Sequence, residues 1–358
     1  MSLVEFGIVV LRVLAVFGLL LVATIINIWA ERKILADMQA RIGPNRAGPF
    51  GILQTVADGL KLFFKESVTP RKVELGMYVL APFLAVLPAF LIFMMVPFGR
   101  PFTIGGNEVA LYGADLNVGL LFVLAMSAMA VYAVVLAGWS SGSKYPLIGG
   151  VRATAQAISY EAAMGLAMVA VVVYSATQGD GGTLSLVDIV ERQSGTWAGF
   201  IPRWNIFPQI AAFVIFFLAI VAETNRAPFD LVEAEQELVG GFHTEYSGMR
   251  FAMFFLAEYI NIFSMSAIAA TLFLGGWNGP TFEGTLPAFV SAILPTIYFL
   301  IKTYAIIFIF FWLRATLPRL RYDQLMALGW KGLIPAALIW LIVSSVSIGV
   351  RQFGIPWG

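Results

Sequence analysis

The sequence predicts an all-α, polytopic integral membrane protein with eight transmembrane helices, an amphipathic helix on the cytoplasmic side and both termini facing outside. Three observations predict this fold class. Of the 358 residues, 59% are hydrophobic and only 12% are charged, whereas a soluble domain contains about 25% charged residues. The apolar residues fall into long runs that can cross a bilayer. Lysine and arginine are concentrated in alternate connecting loops.

Eight apolar runs account for the predicted membrane helices. Each approaches the roughly 20 residues that a helix needs to cross the hydrocarbon core. The first run is longer than the apolar part of a secretory signal, which spans about 7–15 residues, and no basic segment precedes it. We therefore expect it to be a retained membrane helix. The runs cover residues 6–30, 76–98, 116–139, 156–177, 208–224, 251–275, 287–313 and 333–352, of which the fifth is the shortest.

The distribution of lysine and arginine predicts the orientation of these helices. The loops after helices one, three, five and seven contain 16 of the 22 basic residues, and the opposite side contains four. Loops rich in lysine and arginine remain in the cytoplasm. An even number of spans then places both termini outside.

The chain is expected to form a single membrane domain over residues 1–358. Three of its cytoplasmic segments have an unusual polar sequence: a first loop with the amphipathic helix at 31–75, an acidic loop at 223–250 and a basic loop at 314–332. On the opposite side, residues 186–190 are expected to form a short helix along the membrane interface.

The composition excludes most redox centres within this chain. The sequence contains no cysteine, so disulfides and cysteine-ligated iron–sulfur clusters are impossible here. Its single histidine, His243, cannot by itself form a zinc site or a bis-histidine haem site. If the chain takes part in redox chemistry, a partner must therefore deliver the electrons.

The first cytoplasmic loop contains a predicted amphipathic helix. Gln54, Asp58, Lys61 and Lys65 are spaced by three and four residues, so they share one helical face. Two interpretations remain open, an interfacial anchor with snorkelling lysines and a helix that lines an opening into the membrane domain. The carboxylate of Asp58 weighs against a plain anchor for anionic lipid.

The acidic loop contains a dense group of carboxylates. Seven of the 21 acidic residues lie between residues 223 and 258. Apolar residues alternate with them, which favours a folded segment that holds carboxylates against a cavity. A solvated acidic loop that binds a basic partner is the alternative, because runs of charge are usually solvated.

The basic loop has a simpler sequence. Arg314, Arg319, Arg321 and Lys331 lie close to Asp323. Retention of positive charge in the cytoplasm explains most of this pattern, and a docking surface for a soluble partner is the more specific alternative.

Four ionisable residues fall at membrane depth: Glu161, Glu223, Glu258 and Lys302. A charge at the bilayer centre costs about 2.5–3.5 kcal/mol or more, so such residues need a partner or a hydrated cavity. Glu161 is predicted near the start of its helix, where an interfacial position is the simpler interpretation. Together the acids form a candidate proton relay, with Lys302 as a counter-charge or a further member.

Four motifs carry a resemblance to a known family. Residues 222–259 read AETNRAPFDLVEAEQELVGGFHTEYSGMRFAMFFLAEY, and the first loop contains ERKILADMQARIGPNRAGPFGILQTVADGLKLFFKE. Residues 138–161 and 313–331 provide the other two, GWSSGSKYPLIGGVRATAQAISYE and LRATLPRLRYDQLMALGWK. The sequence resembles the family of the NADH–quinone oxidoreductase H subunit, also called NADH dehydrogenase subunit 1, of respiratory complex I. The motifs cover about a third of the chain.

The resemblance implies a subunit at the junction of the membrane and peripheral arms of complex I, in a bacterial inner membrane. It implies quinone as substrate, and FMN and iron–sulfur clusters in partner subunits. Expected partners are the peripheral-arm subunits that complete the quinone site, the antiporter-like membrane subunits and lipid, with no nucleic acid. The implied function is to couple NADH-driven quinone reduction to proton translocation, with no catalytic residue in the strict sense.

The resemblance also implies roles for individual residues by their motif positions. One group would line the quinone chamber and its acidic side: Arg32, Arg41, Asp58, Lys61, Arg226, Asp230, Glu233, Glu235 and Glu237. The second group would form an acidic channel toward the pump subunits: Glu161, Glu223, Glu245 and Glu258.

Three other functions fit parts of the sequence. The equivalent subunit of an ion-pumping hydrogenase or of an F420-linked dehydrogenase would keep the fold and change the electron source. A proton-coupled transporter would explain the buried acids, but the sequence has no convincing internal repeat of the kind that many transporters contain. A passive anchor would explain the basic loops without explaining acids at membrane depth.

Overall fold

The computed structural model of the chain is mostly helical, as the sequence predicts. It describes residues 3–104, 107–179, 181–197, 199, 201–230, 239–280 and 288–353. Its α-helices are α1 (Leu3–Met38), α2 (Gln54–Phe64), α3 (Leu75–Met94), α4 (Gly119–Ser140), α5 (Lys144–Ser175), α6 (Leu186–Arg192), α7 (Ile210–Glu223), α8 (Gly248–Phe273), α9 (Ala288–Thr316), α10 (Tyr322–Ala327) and α11 (Ile334–Phe353). A π-helical turn, Leu328–Leu333, joins α10 to α11.

Seven helices of the described residues are long and apolar enough to cross a membrane. The remaining predicted span is present as α7, which has only 14 residues. At 1.5 Å per residue it extends about 21 Å, less than the roughly 30 Å of a hydrocarbon core. Eight spans, and the outward orientation of the termini, therefore stay predictions.

Two helices extend beyond the predicted apolar runs. Helix α1 continues to Met38, so the start of the first loop motif is helical. Helix α5 begins at Lys144, after Gly142 in the left-handed region with φ +62°. Glu161 is consequently about 26 Å from the start of α5, in the middle of the helix. The expectation that Glu161 lies about one turn inside its helix is therefore wrong.

Extended structure within the described residues is limited to two short antiparallel hairpins. Strand β1 (Phe102–Ile104) pairs with β2 (Asn107–Val109), and β3 (Thr196–Trp197) pairs with β4 (Ile201–Pro202). Helix α6 lies where the short helix is predicted. Its N-terminus is capped by a side chain, because Ser185 Oγ accepts a hydrogen bond from the backbone N–H of Asp188.

Helix α8 is at the centre of the bundle, where it packs against α1, α2, α3, α7 and α9. Helices α3, α4 and α5 form a second packed group beside it. Small residues allow the close approach of α4 and α5, because a Cβ atom on Gly138 would lie 3.2 Å from the Cα atom of Gly150. They also bring α5 close to the segment before α8, because a Cβ atom on Gly149 would lie 2.9 Å from the Cα atom of Gly241. Small residues at helix contacts are typical of membrane bundles.

Lys302 of α9 binds the C-terminal end of α8. Its Nζ atom donates hydrogen bonds to the carbonyl oxygens of Leu274, Gly276 and Asn278, at 2.7, 2.9 and 2.5 Å. The ammonium group also lies 4.4 Å from the ring centre of Trp204. A cation at a helix C-terminus is favoured by the helix dipole. Lys302 therefore caps the C-terminal end of α8. Glu258, the acid that α8 contributes to the predicted relay, is about 24 Å away along the helix.

Lys302→Met should lower the stability of the protein, because it leaves three carbonyl oxygens without their shared donor. We expect a loss of about 1–3 kcal/mol. The measurement is the thermal unfolding midpoint of the solubilised protein, with Lys331→Met, at an exposed lysine, as the control. Equal midpoints for the two variants would contradict the capping role.

Candidate functional site

The turn that follows α7 presents the central cation of the site. Asn225 adopts a left-handed conformation with φ 52°, which asparagine tolerates better than most residues. The backbone N–H of Arg226 then donates to the carbonyl oxygen of Val221 at 3.2 Å, a pattern common at helix C-termini. This geometry ends α7 and directs Arg226 toward α1 and α8.

Glu31 of α1 is the buried anion of the site, with a side chain only 2% exposed. It accepts hydrogen bonds from Arg226 Nη1 at 3.0 Å and from the Tyr259 hydroxyl at 2.6 Å. Arg314, near the end of α9, also binds its Oε1 atom. A buried carboxylate is tolerated only with such partners. Glu31 is in the first loop segment, Arg226 in the acidic loop and Arg314 in the basic loop. The three polar segments singled out in the sequence therefore meet at one site.

Arg226 joins Glu31 to a second carboxylate. Its Nε atom lies 2.8 Å from Glu258 Oε1, and its guanidinium lies 4.6 Å from the ring centre of Tyr259. Burial disfavours the charged guanidinium, but Glu258 and then Glu31 outweigh it and raise the pKa of Arg226 above its ordinary value. Arg226 is therefore a permanent cation between two acids. We call Glu31, Arg226, Glu258, Tyr259 and Arg314 the ionic cluster.

A cavity of about 100 Å³ lies beside the ionic cluster, with room for several water molecules. Its lining includes Glu223, Glu258, Asn225 and Asn261. The Oε2 atom of Glu223 has no hydrogen-bond partner among the described residues. The lining is mostly apolar, but its two carboxylates can accept protons and bind water.

A further acid adjoins this cavity. Ser127 of α4, which lines it, donates a hydrogen bond to Glu161 Oε1 at 3.1 Å and also interacts with Glu223. The carboxylates of Glu161, Glu223 and Glu258 are therefore arranged in sequence from α5 to α8.

A second opening lies at the ionic cluster itself. It is lined by all five members of the cluster and by Arg32, among others. Glu258 therefore lines both cavities.

Asp58 connects the amphipathic helix α2 to α1. It binds Arg32 Nη1 at 2.5 Å and accepts from Gln54 Nε2 at 3.1 Å. Partial burial opposes its charge, but the bonds from Arg32 and Gln54 outweigh it and lower the pKa of Asp58. The apolar side of α2 is open, since Leu60, Phe63 and Phe64 are more than half exposed. The polar side thus faces the site, and the apolar side is free for lipid or a partner.

The other predicted site residues occupy separate positions. Asp230 pairs with Arg319 at 3.1 Å, beside the turn that contains Arg226. Arg41 and Lys61 are exposed and are not members of the ionic cluster. Lys61 lies close enough to Asp58 for its charge to help lower the pKa of that carboxyl. The backbone of Glu245 accepts a hydrogen bond from the Tyr78 hydroxyl at 2.7 Å. Glu233, Glu235 and Glu237 lie outside the described residues.

Four residues of the site were not predicted for it: Glu31, Tyr259, Arg314 and Ser127. Glu31 stands in a run with Arg32 and Lys33, which suggests local charge pairing. Its partners are instead 195, 228 and 283 residues away. The one feature of the sequence that could have indicated the role of Glu31 is its position directly after the apolar run 6–30.

The chain matches a family model over nearly its whole length. The model described as NADH dehydrogenase covers residues 11–345. The chain belongs to the NADH dehydrogenase family. A protein of Frankia alni, named as the H subunit of NADH-quinone oxidoreductase, is 52% identical over 338 residues, which are 94% of this chain and 72% of the relative. A protein of Frankia casuarinae with the same name is 51% identical over 337 residues, with the same shares. The resemblance inferred from the motifs is confirmed.

Arg226→Gln should strongly destabilise this member of the family, because Glu31 and Glu258 would lose a shared buried cation. Removing one partner of a buried pair costs about 3–5 kcal/mol. The matched control is Arg321→Gln, whose pair with Asp323 is exposed. Yield and thermal unfolding of the solubilised protein are the measurements. Equal stability of the two variants would show that the ionic cluster is not a structural requirement.

The contact between Arg32 and Asp58 should persist from about pH 5 to 8, because the lowered pKa keeps the carboxylate charged there. It should be lost only as the pH falls below the ordinary pKa of 3.8. A spin label on Phe64→Cys reports the mobility of α2, and Asp58→Asn is the comparison. We expect the variant to be more mobile at every pH in this range. A difference that vanishes near pH 6 would contradict the pKa shift.

Proposed function

We propose that the chain is the membrane subunit of a proton-pumping NADH:quinone oxidoreductase that forms the membrane part of the quinone chamber and the adjoining acidic channel. Membership of the NADH dehydrogenase family and the shared name of the two relatives support the complex. One observation supports the coupling role most strongly: Glu258 lines both the opening beside Arg32 and the cavity beside Glu223.

On this proposal, quinone occupies the side of the ionic cluster that faces α2. The chamber would be lined or shaped by Arg32, Arg41, Asp58, Lys61, Arg226, Asp230, Glu233, Glu235 and Glu237. The acidic channel would contain Glu161, Glu223, Glu245 and Glu258. Arg32 and Asp58 support this assignment by their contact across α1 and α2.

The proposed mechanism couples a change of charge to a change of protonation. NADH would be oxidised and quinone reduced, and FMN and iron–sulfur clusters in partner subunits would supply the electron-transfer chemistry, because this chain has no cysteine to hold a cluster. Two electrons on the quinone raise its affinity for two protons, and the negative charge acts on Arg226 and the acids around it. Because charges interact strongly in a poorly solvated site, protons shift along Glu258, Glu223 and Glu161. Energy transfer is then electrostatic and conformational.

The proposed function also predicts which molecules contact this chain. Peripheral-arm subunits would complete the quinone chamber on the cytoplasmic side, and antiporter-like membrane subunits would receive the signal from the acidic channel. Lipid would cover the remaining apolar helix surfaces in a bacterial inner membrane. The exposed apolar side of α2 supports contact with lipid or a partner.

Glu223→Gln should lower proton pumping per NADH oxidised, by about fivefold or more, because it removes the titratable group at the centre of the acid series. Pumping and NADH oxidation are measured in inverted membrane vesicles, and an artificial electron acceptor measures assembly. Glu191→Gln, at an exposed position of α6, is the control. Glu235→Gln is expected to act like Glu223→Gln. Normal pumping by both assembled variants would overturn the proposed channel.

A further inference from the structure

We propose that Gln156 of α5 is a positioning residue that fixes the turn containing Arg226 and thereby aligns the ionic cluster with the acidic channel. The inference rests on the proposed function and adds a residue to it. Gln156 is fully buried, and it does not line either of the cavities described above. Its effect on quinone chemistry would therefore be transmitted through Arg226.

The amide of Gln156 binds the turn at three points. Its Nε2 atom donates to the carbonyl oxygen of Ala222 at 2.7 Å, to that of Phe229 at 3.0 Å and to Asn225 Oδ1 at 3.3 Å. Ala222 precedes Glu223 in the last turn of α7, and Phe229 follows Arg226. A single side chain therefore holds both ends of the segment, 222–229, that contains the acid Glu223 and the cation Arg226.

Two further contacts hold the same segment, one from the segment after α9 and one from α5 itself. The backbone N–H of Leu320 donates to the carbonyl oxygen of Pro228 at 3.0 Å. The ring of Phe229 packs against Tyr160 with centroids 5.4 Å apart, and Tyr160 lies one helical turn after Gln156. The turn is thus held between α5 and the segment after α9, with Gln156 as its polar anchor.

Gln156 also affects how the cation Arg226 is placed relative to the acidic channel, because α5 contains Glu161 as well. Gln156 and Glu161 are about 7.5 Å apart along the helix, so one helix positions both an acid of the channel and the turn of the central cation. A shift of Arg226 by an ångström would weaken its contacts with Glu31 and Glu258. Misplacement of that size can lower a rate by about 100-fold.

The test is Gln156→Leu, which keeps the apolar volume and removes the donor. The control is Gln209→Leu, because Gln209 is also buried, and its amide binds Trp340 and Ser344 at the other end of the bundle. In the assembled complex we expect Gln156→Leu to lower quinone kcat/KM by about 10- to 100-fold and to reduce protons pumped per NADH. Gln209→Leu should lower thermal stability alone, and electron transfer to an artificial acceptor should be normal in both.

A combined variant separates this inference from the proposed function. If Gln156 acts through Arg226, adding Gln156→Leu to Arg226→Lys should cause little further loss, because coupled residues are not additive. Lysine keeps a cation between Glu31 and Glu258 but loses the fixed guanidinium geometry, so this background avoids the loss of stability expected of Arg226→Gln. A full additive loss would overturn the positioning role, as would normal kinetics for Gln156→Leu. Normal pumping by the assembled Glu223→Gln variant would instead overturn the proposed function. If Gln156→Leu does not assemble, Gln156→Met provides the same comparison with a more adaptable side chain.

Discussion

The structure depends on the burial of Glu31 between two guanidinium groups. A carboxylate with 2% of its side chain exposed is stable only when charged partners and hydrogen-bond donors replace its water. Those partners come from the turn after α7, from α8 and from α9, so the three elements must meet beside the C-terminal part of α1. Loss of any one of these partners would leave the buried charge of Glu31 less well compensated. The ionic cluster therefore requires these elements of the bundle to keep their relative positions.

Helix α8 transmits that constraint through the molecule. Its middle contributes Glu258 and Tyr259 to the ionic cluster, and Lys302 binds the carbonyl oxygens beyond its C-terminal end. Between these two polar contacts the helix is almost wholly buried and packs against most of the bundle. Polar contacts therefore fix the height and rotation of α8, whereas apolar packing alone would allow it to slide.

The ionic cluster and the acid series are one electrostatic unit. Glu258 binds Arg226 in the ionic cluster and also lines the cavity that contains Glu223. On the proposed function, a change of charge beside Arg226 therefore acts on a group that also lines that cavity. Small residues at the contact between α4 and α5 bring Ser127 and Glu161 close to the same cavity. Close packing and a low local dielectric together make electrostatic coupling effective over several groups.

The sequence by itself determined the helical membrane class, the amphipathic helix α2, the family motifs and most charged members of the site, because apolar runs, helical spacing and loop charge are local properties. Only the tertiary structure decided the role of Glu31, whose partners lie 195 and 283 residues away. It likewise decided that Lys302 caps α8 and that α7 has only 14 residues. The physical reason is that burying a charge is energetically unfavourable unless a partner offsets it. An ionisable residue within an apolar run is visible in the sequence, but its partner is distant along the chain and is set by helix packing.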